Sequence, residues 1–181
     1  MKDPVVQIGA PVLRQAAKPV SKKEFGSSAL LKLIANMKRI LAKEKFGVAI
    51  AAPQVGVSLR LFVVSGRVFE EEAHDDDPER SSEKQSRVFI NPVLMRVSRK
   101  KREMSEGCLS VRGTYGAVIR HEKASIKAED ERGKAFTYHG AGLVAHIFQH
   151  EVDHLDGILY IDKATKLTDD EAIAPPPKKA K

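Results

Sequence analysis

The chain has 181 residues, of which 42% are hydrophobic and 30% charged, and this composition suits one globular domain with a real core. No apolar run approaches the roughly 20 residues of a membrane span, so we expect no membrane partner. The net charge of +7 favours an anionic neighbour such as RNA, although a solvated basic face is the simpler interpretation. A single cysteine, Cys108, excludes an internal disulfide, and with an amino terminus that lacks an apolar signal region it predicts a cytoplasmic protein.

Periodicity predicts two helices and four strands. Apolar residues recur at helical spacing over 28–45, which predicts an amphipathic helix, and a second helix is expected from 141 to about 155. Short strands are predicted at 60–64, 87–97, 118–126 and 135–138, with a turn at 130–133.

Two segments have little to bury. Residues 70–85 are acidic and serine-rich, which predicts a surface loop. Residues 166–181 are rich in proline and lysine, which predicts an extended or disordered tail. The remaining chain, 1–165, is predicted to be the one functional domain.

The motif 149–154 is typical of a hydrolytic metal site. His150 and His154 are four residues apart on a predicted helix, so both imidazoles point the same way and can bind one divalent cation. Glu151 lies about 100° round the helix from His150, within reach of a metal-bound water.

Such a site needs a third ligand and an open fourth position. Cys108, in the segment 106–110, is the best candidate, because a thiolate is a strong ligand and Gly107 lets the backbone come close. By itself, a lone cysteine is more often inert packing. The small, apolar segment 47–56 carries one polar side chain, Gln54, which can donate to a developing oxyanion or can be a solvated loop residue.

Three segments in this order, 47–56, 106–110 and 149–157, resemble the motifs of the peptide deformylase family. The resemblance extends from about residue 6 to 162 and leaves out the acidic segment and the tail. It implies an α+β fold in which antiparallel sheets surround a central metal-binding helix, with an amphipathic helix nearer the amino terminus. It also implies removal of the formyl group from the formyl-methionine of newly made polypeptides, with release of formate.

The resemblance implies a role for each matching residue. Cys108, His150 and His154 correspond to the ligands of one divalent ion, Fe²⁺ by preference, with Zn²⁺ or another ion also suitable. Glu151 corresponds to the general acid and base, and Gln54 with the backbone N–H of Leu109 to the oxyanion donors.

The same resemblance implies a substrate cleft and a brace for the metal helix. Its expected substrate-binding residues are Val48, Ala49, Gly107, Leu143 and Ile147, although Leu143 and Ile147 could equally be ordinary core. Arg120 and Asp153 are expected to pair behind the helix.

Three residues depart from the family pattern. Ala49 replaces a glycine whose backbone touches the substrate, and Arg112 replaces a frequent proline near the entrance. His146 stands one turn before His150 in place of an apolar residue. We interpret His146 as a hydrogen-bonded or pocket-lining side chain, because three ligands are already assigned. In addition, residues four apart on a helix do not align fully, so His146, His150 and His154 turn progressively round the helix axis.

Other functions stay open at this point. A zinc metallopeptidase also uses two histidines and a glutamate, and Cys108 could act as a nucleophile beside a histidine. A ribosome-associated binding protein with a structural metal site would fit the basic charge. The expected partners are formyl-methionyl nascent peptides, with transient ribosome contact and no DNA.

Overall fold

A computed structural model describes residues 3–70 and 86–169, which form two antiparallel sheets and two helices of 14 residues each, the second of them packed against strands of both sheets. The helices are α1 (Ser28–Leu41), α2 (Arg67–Glu70) and α3 (Gly142–Leu155). The strands are β1 (Ala49–Ala51), β2 (Leu61–Val64), β3 (Arg87–Val97), β4 (Lys101–Cys108), β5 (Val111–His121), β6 (Lys123–Glu129), β7 (Ala135–Ala141) and β8 (Lys166–Asp169). This α+β architecture confirms the expected fold class.

The strands form a five-stranded sheet in the order β1-β2-β3-β6-β7 and a three-stranded sheet in the order β4-β5-β8. The prediction of one strand over 118–126 is wrong, because the chain leaves the smaller sheet at His121 and enters the larger sheet at Lys123. Both halves alternate buried and exposed residues, so periodicity does not reveal the change of sheet.

Helix α1 begins at the predicted residue and ends four residues before the predicted end. The Ser27 hydroxyl accepts the N–H of Leu30 at 3.2 Å and so caps the first turn. At the other end, the N–H groups of Lys43 and Glu44 donate to carbonyls only three residues back, so the α-helical pattern ends in tighter turns. Between these ends the apolar stripe is buried as predicted.

Helix α3 is the centre of the fold, with eleven of its 14 residues buried. Phe148 packs on Phe89 of β3, whose ring stacks on Phe62 of β2 with centroids 4.8 Å apart. The buried residues of α3 also include His146, Gln149, Glu151, Asp153 and His154. Buried polar groups are costly unless they have partners, so this helix must build a polar network around itself.

Two strands fall where local patterns did not predict them. β1 lies inside segment 47–56, for which a loop was one of two interpretations, and pairs with β2. β8 lies at the start of the predicted tail and pairs with β5. The rest of that tail and the acidic residues 71–85 lie outside the described residues. Within the described ranges, none of the helices has the length and apolar character needed to cross a membrane.

Candidate metal and catalytic site

The three predicted ligands come together where the end of β4 meets α3. The Sγ of Cys108 lies 3.1 Å from Nε2 of His154. The donor atoms of Cys108, His150 and His154 all lie within 4.8 Å of one another. One thiolate and two imidazoles at this spacing suit a single transition-metal ion.

The hairpin of β4 and β5 brings Cys108 to the helix. Its register shifts between Gly107 and Cys108. A Cβ on Gly107 would lie 2.8 Å from the ring of Tyr115 on β5, so the packing of the hairpin favours glycine at this position. Gly157, after α3, has a φ of +76°, and a Cβ there would lie 2.8 Å from the backbone of Arg14.

Glu106 is a buried carboxylate that holds one of the ligands. It accepts two hydrogen bonds from Arg120, at 2.7 and 3.1 Å, and one from Nδ1 of His150 at 2.6 Å. Because Nδ1 of His150 donates to Glu106, Nε2 is the ring atom left to face the other ligands. Nε2 of His146 lies 2.5 Å from the same carboxylate, but the contact is not aligned as a hydrogen bond.

The electrostatics of this cluster keep Glu106 ionised. Burial alone would raise its pKa, but contacts with His146, His150 and Arg120 bring the pKa far below its ordinary value. Burial would lower the pKa of His150, yet contacts with Cys108 and Glu106 raise it. Burial, together with the charge of His150, lowers the pKa of His154.

The expected pair of Arg120 and Asp153 is present. Nη1 of Arg120 lies 2.5 Å from Asp153, which also accepts from Lys163 at 2.7 Å. The sequence interpretation missed that Arg120 also holds Glu106. A usable signal existed, because Glu106 precedes Cys108 by two residues in a strand and their side chains therefore share a face.

Glu151 is buried beside the ligands, and its Oε2 has no hydrogen-bond partner among the described residues. Burial raises the pKa of Glu151 to about 7, with the charge of His150 opposing and that of Glu106 reinforcing the shift. A carboxyl group with a pKa near neutrality can both accept and donate a proton at physiological pH.

Gln54 has a fixed orientation. Its Oε1 accepts the N–H of Ala51 at 2.8 Å, and because that backbone group can only donate, the amide NH₂ must point the other way. This NH₂ lies 3.4 Å from Sγ of Cys108 and 3.3 Å from the hydroxyl of Ser110. Leu109, the other predicted oxyanion donor, lies beside Cys108 in the turn between β4 and β5.

A cleft of about 490 Å³ opens over these residues. Each predicted substrate-binding residue lines it, namely Val48, Ala49, Gly107, Leu143 and Ile147. The departures Arg112 and His146 line it too, as do Phe46 and Tyr115, which the sequence interpretation did not select. An apolar cleft with a few convergent polar groups is typical of a site for an organic substrate.

The donor set, the buried acid and the amide donor together define the class of metal-dependent hydrolases. The model of the polypeptide deformylase family matches residues 2–170, and the chain belongs to this family.

Similar proteins come from bacteria and from plant organelles. Peptide deformylase of Halothermothrix orenii is 40% identical, over 91% of this chain and 96% of that protein. Peptide deformylase 1A, chloroplastic/mitochondrial, of Arabidopsis thaliana is 38% identical over 91% of this chain, which spans 62% of that longer protein. The class I type b peptide deformylase of Acinetobacter baumannii, in a crystal structure with bound Met-Ala-Ser, superposes with a TM-score of 0.75 at 34% identity, over 88% of this chain and 96% of the other.

Proposed function

We propose that this protein removes the N-terminal formyl group from the formyl-methionine of newly synthesised polypeptides and releases formate. The observation that carries the proposal is the meeting, in one cleft, of a Cys-His-His cluster with the buried acid Glu151 and the oriented amide of Gln54. Family membership supports the same reaction, and the peptide bound to the Acinetobacter baumannii relative supports a peptide substrate.

Cys108, His150 and His154 are the residues that would hold one divalent ion. We propose Fe²⁺ as the native ion, as the family resemblance implies. Zn²⁺ or another divalent ion is the alternative, because two imidazoles and a thiolate suit both. When bound, the ion lowers the pKa of a water molecule and polarises a carbonyl oxygen.

The chain's own residues supply the rest of the chemistry. Glu151 accepts a proton from the attacking water and delivers it to the departing amine, a task for which a pKa of about 7 is suited. The NH₂ of Gln54 and the backbone N–H of Leu109 donate hydrogen bonds to the oxygen on which negative charge develops. Because the Gln54 amide is held by Ala51 before substrate arrives, little reorganisation is needed.

The substrate lies along the apolar side of the cleft. Val48, Leu143 and Ile147 surround the methionine side chain, and the backbones of Ala49 and Gly107 flank the peptide. The methyl group of Ala49 narrows the approach on that side, so we place its effect on substrate affinity rather than on the type of reaction.

Formate release from formyl-Met-Ala tests the proposal. Purified anaerobically, the metal-loaded parent should turn over, and Glu151→Ala with equal metal content should lose at least about 100-fold in rate, because proton transfer is lost. Glu103→Ala, which removes an exposed carboxylate from β4, is the matched control and should retain the parent rate. A metal-loaded parent without turnover would contradict the proposal.

Further assays distinguish between iron and other metals and between the alternative mechanisms. An Fe²⁺–thiolate site is oxidised in air, so equal half-lives with and without oxygen would count against iron. The contact between Cys108 and His154 also permits a thiol nucleophile. Full rescue of a chelated protein by added metal would argue against that mechanism, and cleavage of internal peptide bonds would favour a metallopeptidase.

We further propose a cytoplasmic protein that contacts the ribosome transiently. The support for the ribosome contact is a run of exposed cations from the end of β3 to the start of β4, with no acidic residue in it: Arg96, Arg99, Lys100, Lys101 and Arg102. Phosphate contacts weaken with salt, so binding to ribosomes should fall between about 50 and 200 mM salt. Replacing Arg99 and Lys101 by glutamine should weaken binding and leave hydrolysis of the dipeptide intact; unchanged binding would refute the contact.

A further inference from the structure

His146 is a polar side chain at a buried position. It is buried on α3, one turn before His150, and forms part of the wall between the substrate cleft and a second cavity of about 240 Å³. Arg120 also lines that second cavity. His146 is therefore close to the polar network behind the metal ligands as well as to the cleft.

The partner of His146 in that network is Glu106. Nε2 of His146 lies 2.5 Å from Oε1 of Glu106, a contact that is not aligned as a hydrogen bond but that a small rotation of the ring would align. Because an ionised carboxylate can only accept, an N–H group at Nε2 is the form of His146 that suits this contact. The other oxygen of Glu106 accepts from Nδ1 of His150 at 2.6 Å. One carboxylate on β4 thus contacts two imidazoles on successive turns of α3.

This arrangement joins the two elements that carry the ligands. Glu106 precedes Cys108 by two residues on β4, while His150 and His154 are on α3. Arg120 of β5 donates to both oxygens of Glu106 and also to Asp153, near the end of α3. His146 instead contacts Glu106 from the turn of α3 that precedes His150. Because both carboxylate oxygens of Glu106 contact α3, strand β4 has less freedom to shift along the axis of that helix.

We propose that His146 is a positioning residue, which acts through Glu106 to hold the Cys108 strand against the His150 helix and so fixes the ligand set. The inference rests on the proposed function only in taking Cys108, His150 and His154 as ligands. It predicts that the side chain is needed for its N–H group and not merely for its volume, which separates this role from space filling.

The test is the rate at which zinc-loaded, full-length protein releases Zn²⁺ to an excess of a coloured chelator. Partners of metal ligands typically contribute about 10- to 100-fold to metal affinity, and His146→Leu should release zinc about tenfold faster than the parent. His146→Gln, whose amide can place an N–H group near the same position, should stay within about twofold of the parent. Zinc release by His146→Leu at the parent rate would overturn the proposal, as would equally fast release by both variants.

Two controls separate positioning from loss of stability. His139→Leu removes an exposed imidazole on β7 that belongs neither to the candidate ligands nor to the cleft lining, and should not change release. Ile34→Val loosens the α1 core and lowers stability without touching the site, so its release should also match the parent. Because release is measured without substrate, failure of this inference stays distinct from failure of the deformylase proposal, which only formate release can show.

Discussion

Two arginines each bridge a pair of carboxylates in this molecule, and their surroundings differ. Arg120 holds Glu106 and Asp153 behind the candidate metal ligands, with the three side chains 5%, 3% and 12% exposed. Arg112 holds Asp3 and Glu44 at the rim of the cleft, with exposures of 45%, 36% and 23%. The shortest contacts are similar, 2.5 and 2.7 Å in the first bridge and 2.9 Å twice in the second.

The difference in burial decides what each bridge does. In the interior, a carboxylate that loses its partner keeps its desolvation cost, so breaking a buried pair typically costs about 3–5 kcal/mol. At the surface, water replaces the lost partner, and an exposed pair contributes about 0–1 kcal/mol. Equal geometry therefore does not mean equal importance, and the buried bridge is the one that can fix the ligands.

Arg120→Ala should have the largest effect on stability. It leaves Asp153 with Lys163, and Glu106 with its hydrogen bond from His150 and its contact with His146. We expect the metal-free protein to lose about 3–5 kcal/mol in free energy of unfolding, measured by urea titration. Unchanged stability and activity would remove the idea that this bridge braces the site.

The candidate ligands could be predicted because their geometry is local. His150 and His154 are one turn apart on a strongly patterned helix, and that spacing alone brings the rings together. Cys108 required more, since its approach depends on the β4–β5 hairpin. Its thiolate chemistry and the neighbouring Gly107 made it the best candidate, and the resemblance of segment 106–110 supported that choice. Of the buried bridge, the pair Arg120 and Asp153 was predicted and Glu106 was missed.

Features set by pairing between distant strands were not predictable from local patterns. The passage from β5 to β6 at Glu122 changes the sheet without changing the alternation of side chains. β8 has the composition of a solvated tail and becomes a strand because β5 offers it a free edge. Similarly, Arg112 was predicted to alter the rim, but its two partners, Asp3 and Glu44, both lie far before it in the chain and in separate segments.

Arg112→Ala should have a much smaller effect on stability. The bridge is exposed, so we expect a loss of about 0.2–1 kcal/mol in free energy of unfolding at low salt, and less at high salt, because counterions screen exposed charges. The difference in free energy of unfolding between Arg120→Ala and the parent should depend far less on the salt concentration. A salt-independent loss of several kcal/mol from Arg112→Ala would erase the contrast between the two bridges.

Acid should weaken the rim bridge in a defined direction. The N–H of Val5 and then Arg112 lower the pKa of Asp3 below its ordinary value of 3.8. A carboxyl group whose pKa is lowered by folding stabilises the protein above its ordinary pKa, and this contribution is lost as the pH falls through the folded value. The gap in unfolding free energy between the parent and Arg112→Ala should therefore shrink from about pH 7 to about pH 3. The part of the gap that comes from Asp3 should not vanish at about pH 3, because the pKa of Asp3 in the folded protein lies below 3.8 and part of its charge remains. A gap that widens on acidification would show that Arg112 acts at the rim through something other than these carboxylates.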